Sequence, residues 1–435
     1  MSTIAEVKLW GSVIGAVVLA DGAQTTSFQY DPDFAESEIE VSPIMMPLAK
    51  ETYSFPNLSQ RSFHGLPGML ADSLPDRYGN ALIEEWLIRQ GRAPNSLNAV
   101  ERLCYTGSRG MGALEFVPAT GPEITSTQKL HVDQLVALAD KILAHRSRLK
   151  VKLTKADDAE AMKEILLIGT SAGGARAKAI IAWNPETNEI RSGQSTTEKG
   201  FEHWLIKFDG IGNNRDKELA DPKGYGVIEY AYHLMAKDCG ITMSECRLFE
   251  EGGRRHFMTK RFDRLPDSGK LHMQSLAAMG HLDFNMAGVH SYEQAFGILR
   301  QLGFSAKEST QLFRRMVFNI VARNQDDHVK NIAFLMDRQG NWSLAPAYDV
   351  AYSYQPGGDW TANHQMSLNG KRDGFTMDDF NSCGKTANLK RGQAKKIIEE
   401  IYSVVSRWRE YAESCGVFPD HRDRIQNALR LEPFP

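Results

Sequence analysis

Between residues 324 and 349 the chain reads NQDDHVKNIAFLMDRQGNWSLAPAYD, an order of residue types that few folds accommodate. Asp326 and Asn331 stand five positions apart, two apolar runs around DRQGN predict a hairpin over 331–345, and Asp349 follows. Phosphoryl transfer of the kinase kind needs a carboxylate to orient the attacking hydroxyl, an amide oxygen for a metal, and a second carboxylate on the metal that bridges the phosphates. Those groups occur in this order, with a hairpin between the catalytic loop and the last aspartate. The competing reading is a solvated capping loop, because Asn and Asp favour such places. Asp327, His328 and Lys330 are open between orienting a neighbour, meeting the transferring phosphate and facing solvent.

A second stretch, ILLIGTSAGGARAKAIIAW at 165–183, contains GxSxG from Gly169 to Gly173. A hydrolase elbow needs its serine on a turn from strand into helix. Here the exit, AKAIIAW, is β-branched and apolar and runs into the turn NPETNE, so it predicts a strand. A Walker A loop needs Lys and then Ser or Thr after its last glycine, and this chain offers Ala175 and Arg176. Two readings remain for strand, glycine loop, strand: a loop that closes over ATP phosphates through its amides, or a hairpin without a ligand. A kinase also needs a lysine on a following strand and a helix glutamate to pair with it. Lys207 interrupts the apolar pattern of HWLIKF, and Glu229 lies in YGVIEYAYHLMA.

The rest of the 435 residues sets bounds. With 42% hydrophobic and 24% charged residues the chain can bury a sizeable core, and its length predicts two or three subdomains. A net charge of −3 argues against binding nucleic acid through the overall field. The early apolar run VIGAVVLA is too short to span a bilayer, and the five scattered cysteines include no CxxC pair. The expectation is a cytoplasmic protein with neither a leader, a disulfide framework nor a zinc site. Alternation over 7–30 predicts short strands. Ser73 with Asp76 predicts a capping box, Pro75 a first helical turn and Gly91 a stop. A helix is expected over 129–148 and another from about Gly224 to Lys237, HFMTKRFDR reads as a strand, and the chain is mostly helical from about 273. The basic run Lys385, Lys390, Arg391, Lys395 and Lys396 reads as a solvated helix face, with a DNA contact as the other reading.

Taken together, GSRGMGALEF (107–116), SAGGARAKA (171–179), HWLIKF (203–208), RFDR (261–264), NQDDHVKN (324–331) and LAPAYDV (344–350) occur in the order found in the HipA family of serine/threonine kinase toxins. GMLADSLPDRYGNALIEEWL (68–87) and MSLNGK (366–371) extend the resemblance over nearly the whole chain. It implies an α+β, protein-kinase-like, two-lobed fold. Its parts would be a β-rich N-terminal subdomain with one helix (1–110), an N-lobe with the glycine-rich loop (111–265) and a helical C-lobe with the catalytic loop (266–435). It further implies Asp326 as the catalytic aspartate, Asn331 and Asp349 as magnesium ligands, and Lys207 as the phosphate lysine. ATP contacts are implied at Gly173, Gly174, Ala175, Lys178, His328 and Lys330, with Phe262 and Tyr348 lining the adenine pocket. Ser171, with Thr170 beside it, is the implied autophosphorylation site; a phosphate there adds close to two negative charges beside a site built for those of ATP. Two departures stand out: Lys260 occupies a position often acidic, and Ala177 replaces a commoner Pro or Glu. The implied partners are a small helix-turn-helix antitoxin, DNA only through that complex, and a protein substrate, with aminoacyl-tRNA synthetases among the family's targets. The alternative function is a catalytically silent adaptor that binds antitoxin and operator DNA.

Overall fold

The computed structural model describes residues 2–121, 129–145, 176–194, 199–211, 223–266 and 269–435. They form two compact units. The first comprises Met1–Lys223, Arg247–Gln274 and Leu335–Asn341; the second comprises Gly224–Cys246, Ser275–Phe334 and Trp342–Pro435.

The alternation seen near the N-terminus becomes β1 (Thr3–Leu9), β2 (Ser12–Leu19) and β3 (Ser27–Tyr30), joined by β4 (Thr52–Tyr53) and β5 (Leu114–Val117) in a sheet ordered β4-β3-β2-β1-β5. Ala5, Val7 and Leu9 are buried at every second position, as a strand with one face on the core requires. A second sheet runs β7-β6-β8-β10-β9. It holds β6 (Lys178–Asn184), β7 (Glu189–Ser192), β8 (Glu202–Lys207), β9 (Cys246–Glu251) and β10 (Arg254–Lys260). The run AKAIIAW is thus the strand expected from it. β6 is buried at all but its last position, which explains an unbroken apolar run in place of alternation. Trp183 and Trp204 meet edge to face in the core beneath it, their centroids 5.6 Å apart. Val132, Leu135, Val136 and Ala139 of the helix Val132–His145 fill the same core, with Tyr78 and Leu82 of the helix Arg77–Arg89.

The cap of that last helix differs from the expectation. Asp76, not Ser73, is the N-cap, and its carboxylate accepts from Gly79 N at 2.6 Å. Pro75, expected in the first turn, precedes the cap. Asp76 has extended backbone angles, the conformation a cap requires, so the helix starts later than the Ser73 pattern suggested.

RFDR pins the N-terminal segment. Asp263, fully buried, accepts from Arg261 Nε at 2.9 Å and Nη2 at 2.7 Å, Arg264 Nη1 at 2.8 Å and Gly112 N at 2.7 Å. The same guanidiniums donate to Gly110 O and Gly112 O. Gly112, at φ +76, lies so close to Met273 that a Cβ would stand 2.9 Å from its backbone nitrogen, so only glycine fits.

The second unit is mostly helical. Its central helix, Ala306–Val321, opens on a capping box between Ser305 and Glu308, and Leu312, Phe313, Met316, Val317, Phe318, Ile320 and Val321 are buried. Tyr225–Asp238 and Trp408–Cys415 surround it through Tyr232, whose ring meets Phe318 at 6.1 Å and Trp408 at 5.3 Å. The predicted hairpin is β12 (Ala333–Met336) and β13 (Trp342–Leu344), in a sheet ordered β11-β12-β13 with β11 at His272–Ser275. The basic run is exposed, and Lys395 and Lys396 pair one turn on with Glu399 and Glu400 at 3.8 and 3.9 Å, as on a solvated face. All five cysteines are buried thiols, and among the described residues no helix is long and apolar enough to cross a membrane.

Burial alone would raise the Asp263 carboxyl, but the guanidiniums of Arg261 and Arg264 override it and hold it well below the carboxylate range. A depressed folded-state value means that its contribution is present above about pH 4, the unfolded Asp value, and is lost as pH falls below it. Asp263→Ala should cost roughly 3–5 kcal/mol in denaturant unfolding at neutral pH, because two buried guanidiniums lose their partner. The variant should also lose less stability than the parent between about pH 4 and pH 2.

Candidate active site

The catalytic-loop candidates are positioned by the end of Ala306–Val321. Asn324 N donates back to Asn319 O at 2.9 Å across Arg323, whose φ is +57, a Schellman reversal with arginine where glycine is usual. Arg323 is held there by its Nε on Ala428 O at 2.7 Å and by its guanidinium 4.3 Å over the Tyr354 ring. Beyond it, adjacent aspartates take opposite fates. Asp327 is buried and accepts from Tyr292 OH at 2.7 Å, His364 Nδ1 at 2.9 Å and Gln365 N at 2.8 Å. Burial works to raise its carboxyl, yet His364 and these donors leave it lowered. Asp326 keeps 29% of its side chain exposed, with its Oδ1 2.8 Å from Trp360 Nε1.

Asn331 closes the short turn Val329–Asn331 and donates from Nδ2 to Asp326 O at 2.8 Å, which leaves its amide oxygen as the free acceptor end. Beyond β13, Ala347 N bonds Thr242 O at 2.8 Å and Tyr348 OH donates to Lys330 O at 2.5 Å. Asp349 then sits at φ +54, a left-handed backbone that Asp tolerates better than most residues. His328, Asn331, Tyr348 and Asp349 line one pocket with Asp327, Asn324 and Arg315. Arg315 is a buried guanidinium that donates to Ala345 O at 2.7 Å; burial pushes it down to about 10. Lys330 extends its ammonium over Phe284, 4.6 Å from the centroid. Asn331 and Asp349 supply hard oxygen donors, and among the described residues no group of three or more His, Cys, Asp or Glu could hold an ion by itself. That donor set suits magnesium, which takes one or two protein oxygens and completes its shell with water and phosphate.

The remaining expected residues lie on other elements. Lys207 ends β8 in the first unit, its Nζ 5.8 Å from the Phe257 centroid. It is the cross-strand partner of Lys178, a juxtaposition of like charges that needs compensation. Lys178 has it: its ammonium lies 2.7 Å from Asp76, both side chains being about 5% exposed (4% and 6%). Phe262 follows β10, and Lys260 pairs with Glu202 at 2.5 Å, so the departure at that position has a partner within the sheet. Glu229 is buried on Tyr225–Asp238, in the second unit. Thr170, Ser171, Gly173, Gly174 and Ala175 lie outside the described residues. Trp360 and the His364–Gln365 pair were missed by sequence reasoning; a lone tryptophan in the polar, glycine-rich stretch QPGGDWTANHQ was the available signal.

The α+β architecture is that of a kinase-like fold. The chain belongs to the HipA family: residues 170–408 match the HipA-like C-terminal domain and 5–117 the HipA N-terminal domain. Its fold is similar to that of HipA from Shewanella oneidensis MR-1, solved with HipB and operator DNA, at TM-score 0.67 and 17% identity over 98% of this chain and 94% of that one. It is 26% identical over 231 residues to "Putative kinase Y4dM" of Sinorhizobium fredii, covering 48% of this chain and 54% of the relative. With a "Putative kinase" of Haemophilus influenzae it shares 25% over 214 residues, covering 40% and 62%. The matches thus span between half and two thirds of the relatives' own lengths.

The left-handed backbone at Asp349 can be weighed without its side chain. Asp349→Gly should be more stable than Asp349→Ala by roughly 1–2 kcal/mol in thermal or denaturant unfolding, because both lack the carboxylate and only alanine carries a Cβ into that conformation.

Proposed function

We propose that the chain is a magnesium- and ATP-dependent serine/threonine protein kinase of the HipA kind. One observation carries the reading: Asp326 is turned outward while the neighbouring loop and strand bring Asn331 and Asp349 to one pocket. Asp326 orients the acceptor hydroxyl and takes its proton. The acceptor oxygen bonds to the γ-phosphorus as the bond to the β–γ bridging oxygen breaks, and ADP leaves. On the family's motifs the phosphate contacts are assigned to Lys207, Gly173 and Gly174, and the adenine contacts to Phe262 and Tyr348. Magnesium, held by Asn331 and Asp349, neutralises charge on the phosphates when bound. Ser171 receives a phosphate from the same site, and its added charge disfavours ATP beside it. A small helix-turn-helix antitoxin restrains the kinase and links it to DNA, a reading supported by the similar HipA structure solved with HipB and operator DNA. The substrate is a protein of translation, such as an aminoacyl-tRNA synthetase.

Phosphatase-treated protein, its intact mass checked first, is incubated with magnesium and labelled ATP. Label should appear on Ser171, and Asp326→Asn should lower the transfer rate by about 10²-fold or more. Equal labelling of the variant, or none of the wild type in any state, rejects the kinase. In the second case partner-dependent DNA binding that survives Asp349→Ala would identify an adaptor.

A further inference from the structure

The segment after Asp349 is laced onto the catalytic loop almost residue by residue. Ser353 N donates to Arg323 O at 3.1 Å, and Ser353 Oγ donates to Asn324 Oδ1 at 3.2 Å. The Gln365 side-chain amide reaches Gln325 O at 3.4 Å, while Gln365 N and His364 Nδ1 hold the two oxygens of Asp327 at 2.8 and 2.9 Å. The remaining residue, Asp326, is met by Trp360, whose indole N–H donates to Oδ1 at 2.8 Å. Trp360 is itself fixed. Its carbonyl accepts from the Gln365 side chain, and its loop is closed by Gly358 N on Gln355 O at 3.0 Å and Gln355 N on Thr361 O at 3.3 Å.

An indole nitrogen only donates, so this contact has one polarity, with Oδ1 of Asp326 as its acceptor. It occupies one oxygen. Among the described residues Oδ2 of Asp326 accepts no hydrogen bond, and the side chain is 29% exposed. Asn331 Nδ2 meanwhile holds the Asp326 carbonyl at 2.8 Å, so backbone and carboxylate are gripped from two directions. A carboxylate whose plane is set before the acceptor arrives loses no rotamer freedom on reaching the transition state.

We propose that Trp360 is a positioning residue for phosphoryl transfer: it ties Oδ1 of Asp326 and thereby presents Oδ2 to the acceptor hydroxyl. This rests on the kinase reading above. Acting through Asp326, its loss lowers the rate constant and leaves nucleotide affinity unchanged.

The test replaces the indole N–H alone. Benzothienylalanine at position 360 keeps the bicyclic shape and lacks the donor; 7-azatryptophan keeps both. With phosphatase-treated full chain, single-turnover autophosphorylation at saturating magnesium-ATP and the Kd for ATP are measured for each. The benzothienyl protein should transfer about tenfold or more slowly with its Kd within about twofold of wild type, and the azatryptophan protein should retain the wild-type rate. Trp360→Phe, which also lacks the donor, should reproduce the loss should the benzothienyl chain fold poorly. An active wild type with an unchanged or faster benzothienyl variant overturns the proposal and leaves the kinase reading standing; faster transfer would mean that the indole obstructs Asp326. A wild type silent in every phosphorylation state overturns both.

Discussion

One buried carboxylate organises the second unit around its chemistry. Asp327 receives a phenol, an imidazole and a backbone amide, and His364 Nε2 in turn meets Arg430, which pairs with Asp373 at 2.5 Å. An ionised group can remain in so dry a place only when its lone pairs are filled by fixed donors. These donors come from the helix Tyr292–Gln301 and from the 364–365 segment, so saturating Asp327 draws both elements to the loop. Burial alternates from Gln325 to Val329, so the side chain before Asp327 points away from the core. The exposure of Asp326 is a consequence of the burial of Asp327.

Two left-handed residues, Arg323 and Asp349, mark where the chain enters and leaves this arrangement. Neither is glycine, and each such conformation costs about 1–2 kcal/mol against an ordinary one. The packing of Ala306–Val321 and the pairing of Ala347 with Thr242 over-determine the backbone at these points. Strain held by surrounding structure beside a reactive group is a recurring feature of functional sites. The first unit shows the electrostatic counterpart: Lys178 stands across from Lys207 because Asp76 neutralises it, and the same carboxylate caps a helix.

Much of this was legible in the residues. The unbroken run AKAIIAW read as strand and the turn DRQGN as a hairpin, because periodicity and turn chemistry act over a few residues. The helix cap was misplaced by three positions because Asp76 read as the far member of a capping box opened by Ser73, whereas its own carboxylate caps the helix by accepting from Gly79 N. RFDR was legible as a motif, but its aspartate and arginines serve the 110–112 turn, a contact between distant segments that no local pattern records.

The sequence by itself determined the order and identity of Asp326, Asn331 and Asp349, and with them the class of fold, because these depend on spacing along a continuous chain. Tertiary structure decided which of two adjacent aspartates faces outward, that Lys178 is already matched by Asp76, and that an indole N–H meets the exposed carboxylate. Each of those is a question of which charged group meets which partner. Such pairings are set by burial and desolvation among residues far apart in the chain, and a one-dimensional pattern carries no record of them.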